Sequence, residues 1–294
     1  MDTNRFGQLI TLAGLIALAL ALALGAQLSS GTRVSAKTAE DTRADSDKPN
    51  ILMIVADDLG YDDSTLYNPA SPARTPALQE LAREGVLFSR HYADATCTPS
   101  RVSILSGMYA ERMGFRQNGL EIPPEIITLP EALHNAGYQT HLVGKWHAGE
   151  ARPESLPLSQ GFDSFFGFHN QWELAGEVTP TTRGRQKPTY NNPWLREGRA
   201  PLVQHSGHLT DILVEKSLQT IRSHAASDEP WFLYHGFLAP HTPIQPAERF
   251  RANRPGDAEG QYLALVDQMD DAVGQLMTAL RETGQDENTL VIFV

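Results

Sequence analysis

The chain has a single cysteine, Cys97, among its 294 residues. One cysteine cannot form a disulfide within the chain, so a small fold held together by disulfides is excluded. Internal repeats and low-complexity tracts of useful length are also missing, which excludes solenoids and fibrous folds. Hydrophobic residues make up 41% and charged residues 20% of the sequence, as in ordinary globular proteins. The sequence therefore predicts one large or two ordinary globular domains.

An excess of basic residues is absent as well. Lys and Arg number 24 against 35 Asp and Glu, which gives a formal net charge of −11. A field of this sign repels polyanions, so we expect no nucleic-acid partner. An anionic substrate would need a locally positive site, and a bound metal ion could supply that charge.

The sequence has no apolar run long enough for an ordinary membrane span. Its longest run covers residues 9–24, follows Arg5 and is followed by the small residues Gly25 and Ala26. This run is shorter than the roughly 20 residues that cross a bilayer. We therefore expect residues 1–26 to be a secretory signal peptide, with an uncleaved anchor as the lesser alternative. Residues 27–48, rich in Ser, Thr, Asp and Lys, predict a disordered linker.

This leader predicts that the protein is exported to the periplasm or the extracellular space. Once the leader is cleaved, we expect no stable membrane insertion.

From Pro49 onward, strand-like and helical patterns alternate. Apolar runs of strand length cover residues 51–56, 140–143, 231–238 and 290–294, and helical patterns cover residues 75–85, 128–137, 210–223 and 262–282. Residues 161–201 are rich in glycine and aromatics and indicate loops. This order predicts an α/β fold with a mostly parallel sheet and helices on both faces.

Ligands of such sheets bind beyond the carboxyl ends of the strands. Asp57 and Asp58, the loop after Val143 and the loop after Leu238 should therefore lie at one edge. Two adjacent aspartates are often only a solvated turn, but their oxygens are also the ligands that Ca²⁺ and Mg²⁺ prefer.

A short helix is predicted to begin near Cys97, with Thr98 as its cap and Pro99 in its first turn. A helix N-terminus favours anions, and Arg101, one turn further, can donate two hydrogen bonds to oxyanion oxygens. A nucleophile and an anion-binding site would then coincide. The alternative is an inert buried thiol beside an arginine that pairs with a carboxylate.

The run Cys97-Thr98-Pro99-Ser100-Arg101 matches the Cys-x-Pro-x-Arg signature of type I sulfatases, in the alkaline phosphatase superfamily. Three other segments resemble motifs of that family in the same order: residues 50–61, 137–147 and 239–243. Four ordered matches are far more specific than one. Residues 49–294 therefore resemble the N-terminal catalytic domain of a formylglycine-dependent, arylsulfatase-like enzyme, a sulfuric ester hydrolase.

The resemblance implies how the reactive position would work. Cys97 would be oxidised by a formylglycine-generating or equivalent maturation enzyme, and the hydrate of the resulting aldehyde would attack sulfur. Asp57, Asp58 and the modified Cys97 would bind a divalent cation, usually Ca²⁺, with Mg²⁺ possible. A second hydroxyl on the same carbon would let the enzyme expel sulfate by breaking its own C–O bond.

The resemblance also implies roles for four further side chains. Arg101 would fix and polarise the hydrated aldehyde. Lys145 and His241 would contact the sulfate oxygens or the leaving oxygen. His147 would handle the proton of the hydrate when sulfate is released.

The last residues, 289–294, form an apolar run that departs from the family pattern. In the family, a similar strand leads into an Asp-Asn-Gly turn that completes the metal site, followed by a lysine and a smaller C-terminal subdomain. We therefore expect the C-terminal part of the catalytic domain to be missing from these 294 residues, and the chain alone to show little or no hydrolysis.

Two other functions stay open at this point. A phosphate or phosphonate ester hydrolase of the same superfamily would share the sheet and the metal site, and some phosphonate hydrolases also use formylglycine. A non-catalytic fragment that binds sulfated glycans would leave Cys97 unmodified. The substrate expected is a small-molecule or glycan sulfate ester, and Arg183, Arg185 and Lys187 could meet a second anionic group on it.

Overall fold

The computed structural model describes residues 48–179 and 186–294. The expected signal peptide, nearly all of the expected linker, and Arg183 and Arg185 lie outside these residues. Among the described residues, no helix is long and apolar enough to cross a bilayer.

A sheet of seven strands forms the centre of the described part of the chain, in the order β5-β4-β3-β2-β6-β1-β7. Neighbouring strands from β3 to β7 in this order are parallel, whereas β3 with β4 and β4 with β5 are antiparallel. The mostly parallel sheet is therefore confirmed. The strands are β1 (Asn50–Asp57), β2 (Gln139–Lys145), β3 (Ser164–Phe168), β4 (Trp194–Glu197), β5 (Val203–Gln204), β6 (Trp231–Pro240) and β7 (Thr289–Phe293).

Helices cover both faces of the sheet. They are α1 (Pro76–Glu84), α2 (Cys97–Ser106), α3 (Leu129–Asn135), α4 (Leu209–Ser223), α5 (Glu248–Arg251) and α6 (Ala258–Glu282). Successive strand residues point to opposite faces, so Leu52 and Ile54 of β1 join a buried cluster with α4 and α6. Met53 and Val55 join another with α2 and α3. The prediction of helices on both faces is confirmed.

The start of α2 differs from the sequence-based expectation. The helix begins at Cys97, so Thr96 is its cap residue. Thr98 lies inside the first turn, where its hydroxyl is buried and has no hydrogen-bond partner within the described ranges. Its backbone N–H donates instead to Asn118 Oδ1, at 2.8 Å. The predicted capping role of Thr98 was therefore wrong, although the predicted position of Cys97 at a helix N-terminus is confirmed.

Two strands, β3 and β4, lie in the region expected to be loops. The glycine within β3, Gly167, interrupts its aromatic run and reads as a loop signal in the sequence. It is needed because the backbones of β2 and β3 approach closely: a Cβ at Gly167 would lie 2.0 Å from the carbonyl oxygen of Gly144. The glycine is thus part of the strand pairing rather than a break in it.

The first turn of α1 is held by a carboxylate from another helix. Asp270 of α6 accepts hydrogen bonds from the backbone N–H groups of Ala77 and Leu78, both at 2.9 Å. Burial raises the pKa of Asp270 to about 6, an effect that the two backbone donors oppose and that Asp267 and Asp271 reinforce.

We expect Asp270 to make stability depend on pH. A folded-state pKa of about 6, above the ordinary 3.8, means that the folded state binds the proton more tightly. Protonated Asp270 therefore adds to the free energy of unfolding, by up to about 3 kcal/mol. This contribution is complete below pH 3.8 and is lost as the pH rises through 6. When the free energy of unfolding is measured with urea between pH 4 and 7.5, it should fall less with rising pH in Asp270→Asn than in the wild type.

Asp271→Asn is the matched control, because Asp271 lies next in α6 and is exposed. It should keep most of the wild-type slope. Equal slopes for Asp270→Asn and the wild type would show that Asp270 ionises normally.

Candidate active site

The carboxyl ends of the central strands bring the predicted site residues together. Asp57 is the last residue of β1 and Lys145 the last of β2, and His241 directly follows β6. The N-terminus of α2 approaches this edge from one face of the sheet. β7 ends at the same edge, where the N–H of Ala56 donates to the carbonyl of Val294, at 2.8 Å.

Asp57 is the centre of a buried ion network. Its carboxylate is 2.5 Å from Lys145 Nζ and 3.5 Å from Arg101 Nη2. All three side chains are at most 4% exposed. Burial by itself would raise the pKa of Asp57, but the two cations outweigh it and hold the pKa at about 2. The carboxylate therefore stays ionised throughout the neutral range.

The guanidinium of Arg101 lies inside the protein rather than pointing into open solvent. Its Nη1 donates to the carbonyl of Lys145 at 2.8 Å and to the hydroxyl of Tyr234 at 3.2 Å, and Nη2 donates to the carbonyl of Phe237 at 3.4 Å. Gly236 makes room for it, since a Cβ there would lie 3.2 Å from Nη1. These contacts differ from the expected fork onto a substrate oxyanion and leave Arg101 fixed against the sheet.

Cys97 is half-buried at the first position of α2. Burial raises the pKa of its thiol, Asp57 adds to that effect, and the charge of Lys145 opposes it. The thiolate is therefore disfavoured here, although a helix N-terminus and two cations lie close by.

A candidate metal-binding group forms around Cys97. Asp57, Cys97 and His241 each offer one ligand atom, and these atoms lie within 4.8 Å of one another. Asp58 was expected in this group, but its side chain is 59% exposed and stands 3.6 Å from His241 Nε2. The left-handed backbone of Asp58, with φ of 66°, turns its side chain in a different direction from that of Asp57. His241, rather than Asp58, therefore lies close enough to Asp57 and Cys97 to share a metal ion with them.

His147 follows β2 in a left-handed conformation, with φ of 56°. Its backbone N–H donates to the carbonyl of His169, at 2.8 Å. Burial lowers the pKa of its ring to about 2, and the charges of Lys145 and Arg101 act in the same direction. The ring is therefore neutral near pH 7, and its Nδ1 is buried without a hydrogen-bond partner in the described part of the chain.

Three residues that position the site were missed from the sequence. The hydroxyl of Tyr190 donates to the carbonyl of His241 at 2.8 Å, Tyr234 contacts Arg101, and Asn118 anchors the start of α2. Tyr190 and Asn118 are far from the site in sequence and lie in segments without a motif. Tyr234 lies within the β6 run, where an aromatic reads only as core.

A family model described as "Sulfatase" matches residues 49–294. The chain belongs to the sulfatase family.

Curated relatives and solved structures agree with this membership. N-acetylgalactosamine-6-sulfatase of Rattus norvegicus is 34% identical over 267 residues, covering 83% of this sulfatase chain and 49% of the relative. Arylsulfatase A of Homo sapiens is 35% identical over 276 residues, covering 83% of the chain and 51% of the relative. The crystal structure of Ps i-CgsB is 30% identical with a TM-score of 0.71, covering 84% of the chain and 58% of that structure.

These likenesses confirm the α/β fold class and the family assignment. The sulfatase chain spans about half the length of the curated relatives it matches.

We expect the Lys145–Asp57 pair to behave as a buried ion pair. Asp57→Asn leaves the buried cations Lys145 and Arg101 without their shared carboxylate and should lower the free energy of unfolding by about 3–5 kcal/mol. The double variant Asp57→Asn/Lys145→Met removes one of the two uncompensated cations, while Arg101 remains, and should recover part of that loss. Urea unfolding of the four proteins in this double-mutant cycle gives the coupling energy.

Lys216→Met provides the matched surface control. Lys216 Nζ lies 2.7 Å from Glu197, whose side chain is 71% exposed, so its loss should cost less than about 1 kcal/mol. Additive effects at Asp57 and Lys145 would contradict the buried network.

Proposed function

We propose that this sulfatase chain supplies the N-terminal catalytic part of an exported hydrolase that cleaves sulfate esters. The observation that carries the proposal is the position of Cys97, beside Asp57 and His241 and near the two buried cations. The family and the names of the relatives support sulfate as the group removed.

Local charge supports an anionic substrate. Lys145 and Arg101 are two buried cations that share one buried carboxylate, Asp57, so the network has an excess of positive charge. The chain as a whole has a formal net charge of −11. A sulfate ester repelled by the overall field would still be attracted at this edge of the sheet.

We infer that Cys97 is converted to formylglycine. The Cβ of the side chain is oxidised by two electrons, and –CH₂–SH with water becomes –CHO, hydrogen sulfide, two protons and two electrons. A maturation enzyme supplies the two-electron acceptor, such as dioxygen. Burial raises the pKa of the Cys97 thiol, so the unmodified cysteine would be a poor nucleophile at this position.

The modified residue brings its own chemistry. Its hydrated aldehyde carries two hydroxyls on one carbon, one to attack sulfur and one whose deprotonation releases sulfate by cleavage of the C–O bond. Arg101 would hold the first turn of α2, and with it residue 97, in place, because its guanidinium donates to backbone carbonyls of β2 and β6.

A divalent cation fits the donor set at this site. Asp57 and Asp58 offer carboxylate oxygens, and conversion of Cys97 replaces a soft sulfur with oxygen. Oxygen donors favour Ca²⁺, with Mg²⁺ as the alternative. When bound, the cation would offset negative charge on the attacking oxygen and on the sulfate.

Three side chains would move or stabilise protons and charge. His147 has a ring that is neutral and only weakly basic, since its pKa is lowered to about 2; it would accept a hydrogen bond from the hydrate and take the proton as sulfate leaves. Lys145 and His241 would contact the sulfate or the leaving oxygen, where a positive charge or a ring N–H stabilises the departing alcohol.

Carbohydrate sulfates are the substrate class that the comparisons favour. One relative is named for N-acetylgalactosamine-6-sulfate, and one structural neighbour, 29% identical with a TM-score of 0.71, was solved with k-i-k-neocarrahexaose. Aryl sulfates remain in the proposal because other relatives are named arylsulfatases. The proposal also includes export to the periplasm or extracellular space and a formylglycine-generating or equivalent partner enzyme.

The modification can be tested without any activity assay. Made in a host that contains a maturation enzyme, the peptide carrying Cys97 should show by mass spectrometry the loss of sulfur and gain of an aldehyde oxygen. Cys97→Ala should remain unmodified and serves as the control. Unmodified Cys97 in the native host would contradict the proposal and favour a non-catalytic glycan-binding protein.

Hydrolysis needs a second test. We expect the 294-residue chain alone to hydrolyse little, and a form extended through an Asp-Asn-Gly turn and C-terminal subdomain to cleave sulfate esters faster than matched phosphate esters. Cys97→Ala in the extended form should lower kcat/KM at least about 1,000-fold, because it removes the attacking group. Faster cleavage of phosphate or phosphonate esters would instead assign the phosphate-type alternative.

A further inference from the structure

A second cluster of metal-ligating side chains lies at the opposite end of the sheet. Gln139 begins β2, His141 lies two residues further on the same side of that strand, and His224 directly follows α4. Lys145, at the other end of β2, is in the catalytic network. Six residues of extended strand separate Gln139 from Lys145 by roughly 20 Å, so the cluster is separate from the Cys97 site.

Three ligand atoms converge in this cluster. The Nε2 atoms of His141 and His224 lie 3.4 Å apart, and Gln139 Oε1 lies 2.9 Å from His224 Nε2. The two imidazole rings are inclined at 64°. His224 is only 8% exposed.

In each of these three side chains, the polar atom that faces away from the cluster contacts another group. His224 Nδ1 is 2.9 Å from the carbonyl of Thr220, and His141 Nδ1 is 2.7 Å from Ser164 Oγ. The Gln139 amide nitrogen donates to the exposed carboxylate of Glu229. Metal-binding histidines are commonly oriented in this way, with the far ring nitrogen bonded to a carbonyl or hydroxyl.

Hydrogen bonds alone do not satisfy this arrangement with neutral rings. His224 Nδ1 faces the carbonyl of Thr220 and also Ser223 Oγ, at 3.2 Å, and the Ser223 hydroxyl donates its proton to that same carbonyl. Nδ1 therefore faces two acceptors and carries the ring proton, which leaves a lone pair on Nε2. An Nε2–H of His141 can donate to that lone pair at 3.4 Å, but Gln139 Oε1 faces it as well and is an acceptor, because the Gln139 amide nitrogen is directed to Glu229. Two acceptors therefore meet at 2.9 Å, an arrangement that a cation would stabilise.

The spacing also fits coordination. Two nitrogens that bind one tetrahedral Zn²⁺ at about 2.0–2.1 Å are roughly 3.3 Å apart, and the observed separation is 3.4 Å. Imidazole ligands select borderline cations such as Zn²⁺, Ni²⁺ and Cu²⁺ over Ca²⁺.

We propose that His141 Nε2, His224 Nε2 and Gln139 Oε1 form a second metal site, which takes a borderline divalent cation such as Zn²⁺ and joins the start of β2 to the end of α4. Solvent completes the coordination, since His141 and Gln139 are partly exposed. Ions that bind the folded chain at this point stabilise it against unfolding. The proposal does not depend on sulfate hydrolysis.

The test is a Zn²⁺ titration of the chelator-treated chain by calorimetry, carried out in a His241→Ala background so that the catalytic cluster does not compete. We expect one saturable site, weakened at least about tenfold by His141→Ala or His224→Ala because either loses one of two imidazole ligands. Gln139→Glu, which adds a charge to the third ligand, should tighten it. Excess Ca²⁺ should not displace Zn²⁺.

His91→Ala is the matched control, because His91 is an exposed histidine and its loss should leave the titration unchanged. Ring nitrogen NMR adds a direct readout, with Zn²⁺ shifting Nε2 of His141 and His224. Circular dichroism of each variant establishes that it is folded. Absence of saturable Zn²⁺ binding in the folded His241→Ala chain, or binding that survives both cluster variants, would overturn the proposal.

Discussion

The buried carboxylate of Asp57 is the constraint on which the candidate active site depends. A charge at 4% exposure is costly unless it is paired, and Lys145 and Arg101 provide that pairing from two different elements. The network therefore ties the ends of β1 and β2 to helix α2. Because Arg101 also bonds to strand carbonyls, the first residue of α2, Cys97, is placed where His241 can reach the same space.

The two ends of the strands carry different kinds of side chain. The carboxyl ends of the strands carry the ion network and the hard oxygen donors, whereas the amino end carries the paired imidazoles of His141 and His224. Strand β2 contributes to both, with Lys145 at one end and Gln139 at the other. A parallel sheet makes this possible, because its parallel strands all end on one side of the sheet and all begin on the other.

Much of the fold could be predicted because its signals are local. The runs at 51–56 and 231–238 and the helix at 210–223 agree with β1, β6 and α4 within a few residues, since apolar periodicity reports burial directly. The strands β3 and β4 could not be predicted in this way. In the sequence, Gly167 resembles a loop signal. The structure shows that it is needed for the close approach of the Gly144 backbone, and this contact joins residues far apart in the sequence.

For the candidate site, the sequence by itself determined which residues are proposed to carry the chemistry, because the motif around Cys97 and the family resemblance depend on local spacing. Only the tertiary structure decided their arrangement: that Arg101 is directed inward, that His241 rather than Asp58 stands closest to Asp57 and Cys97, and that Tyr190 and Asn118 support the site. The physical reason is that side-chain direction and burial depend on contacts between distant segments. A linear pattern records the residue types that such contacts need, but not the partners that they find.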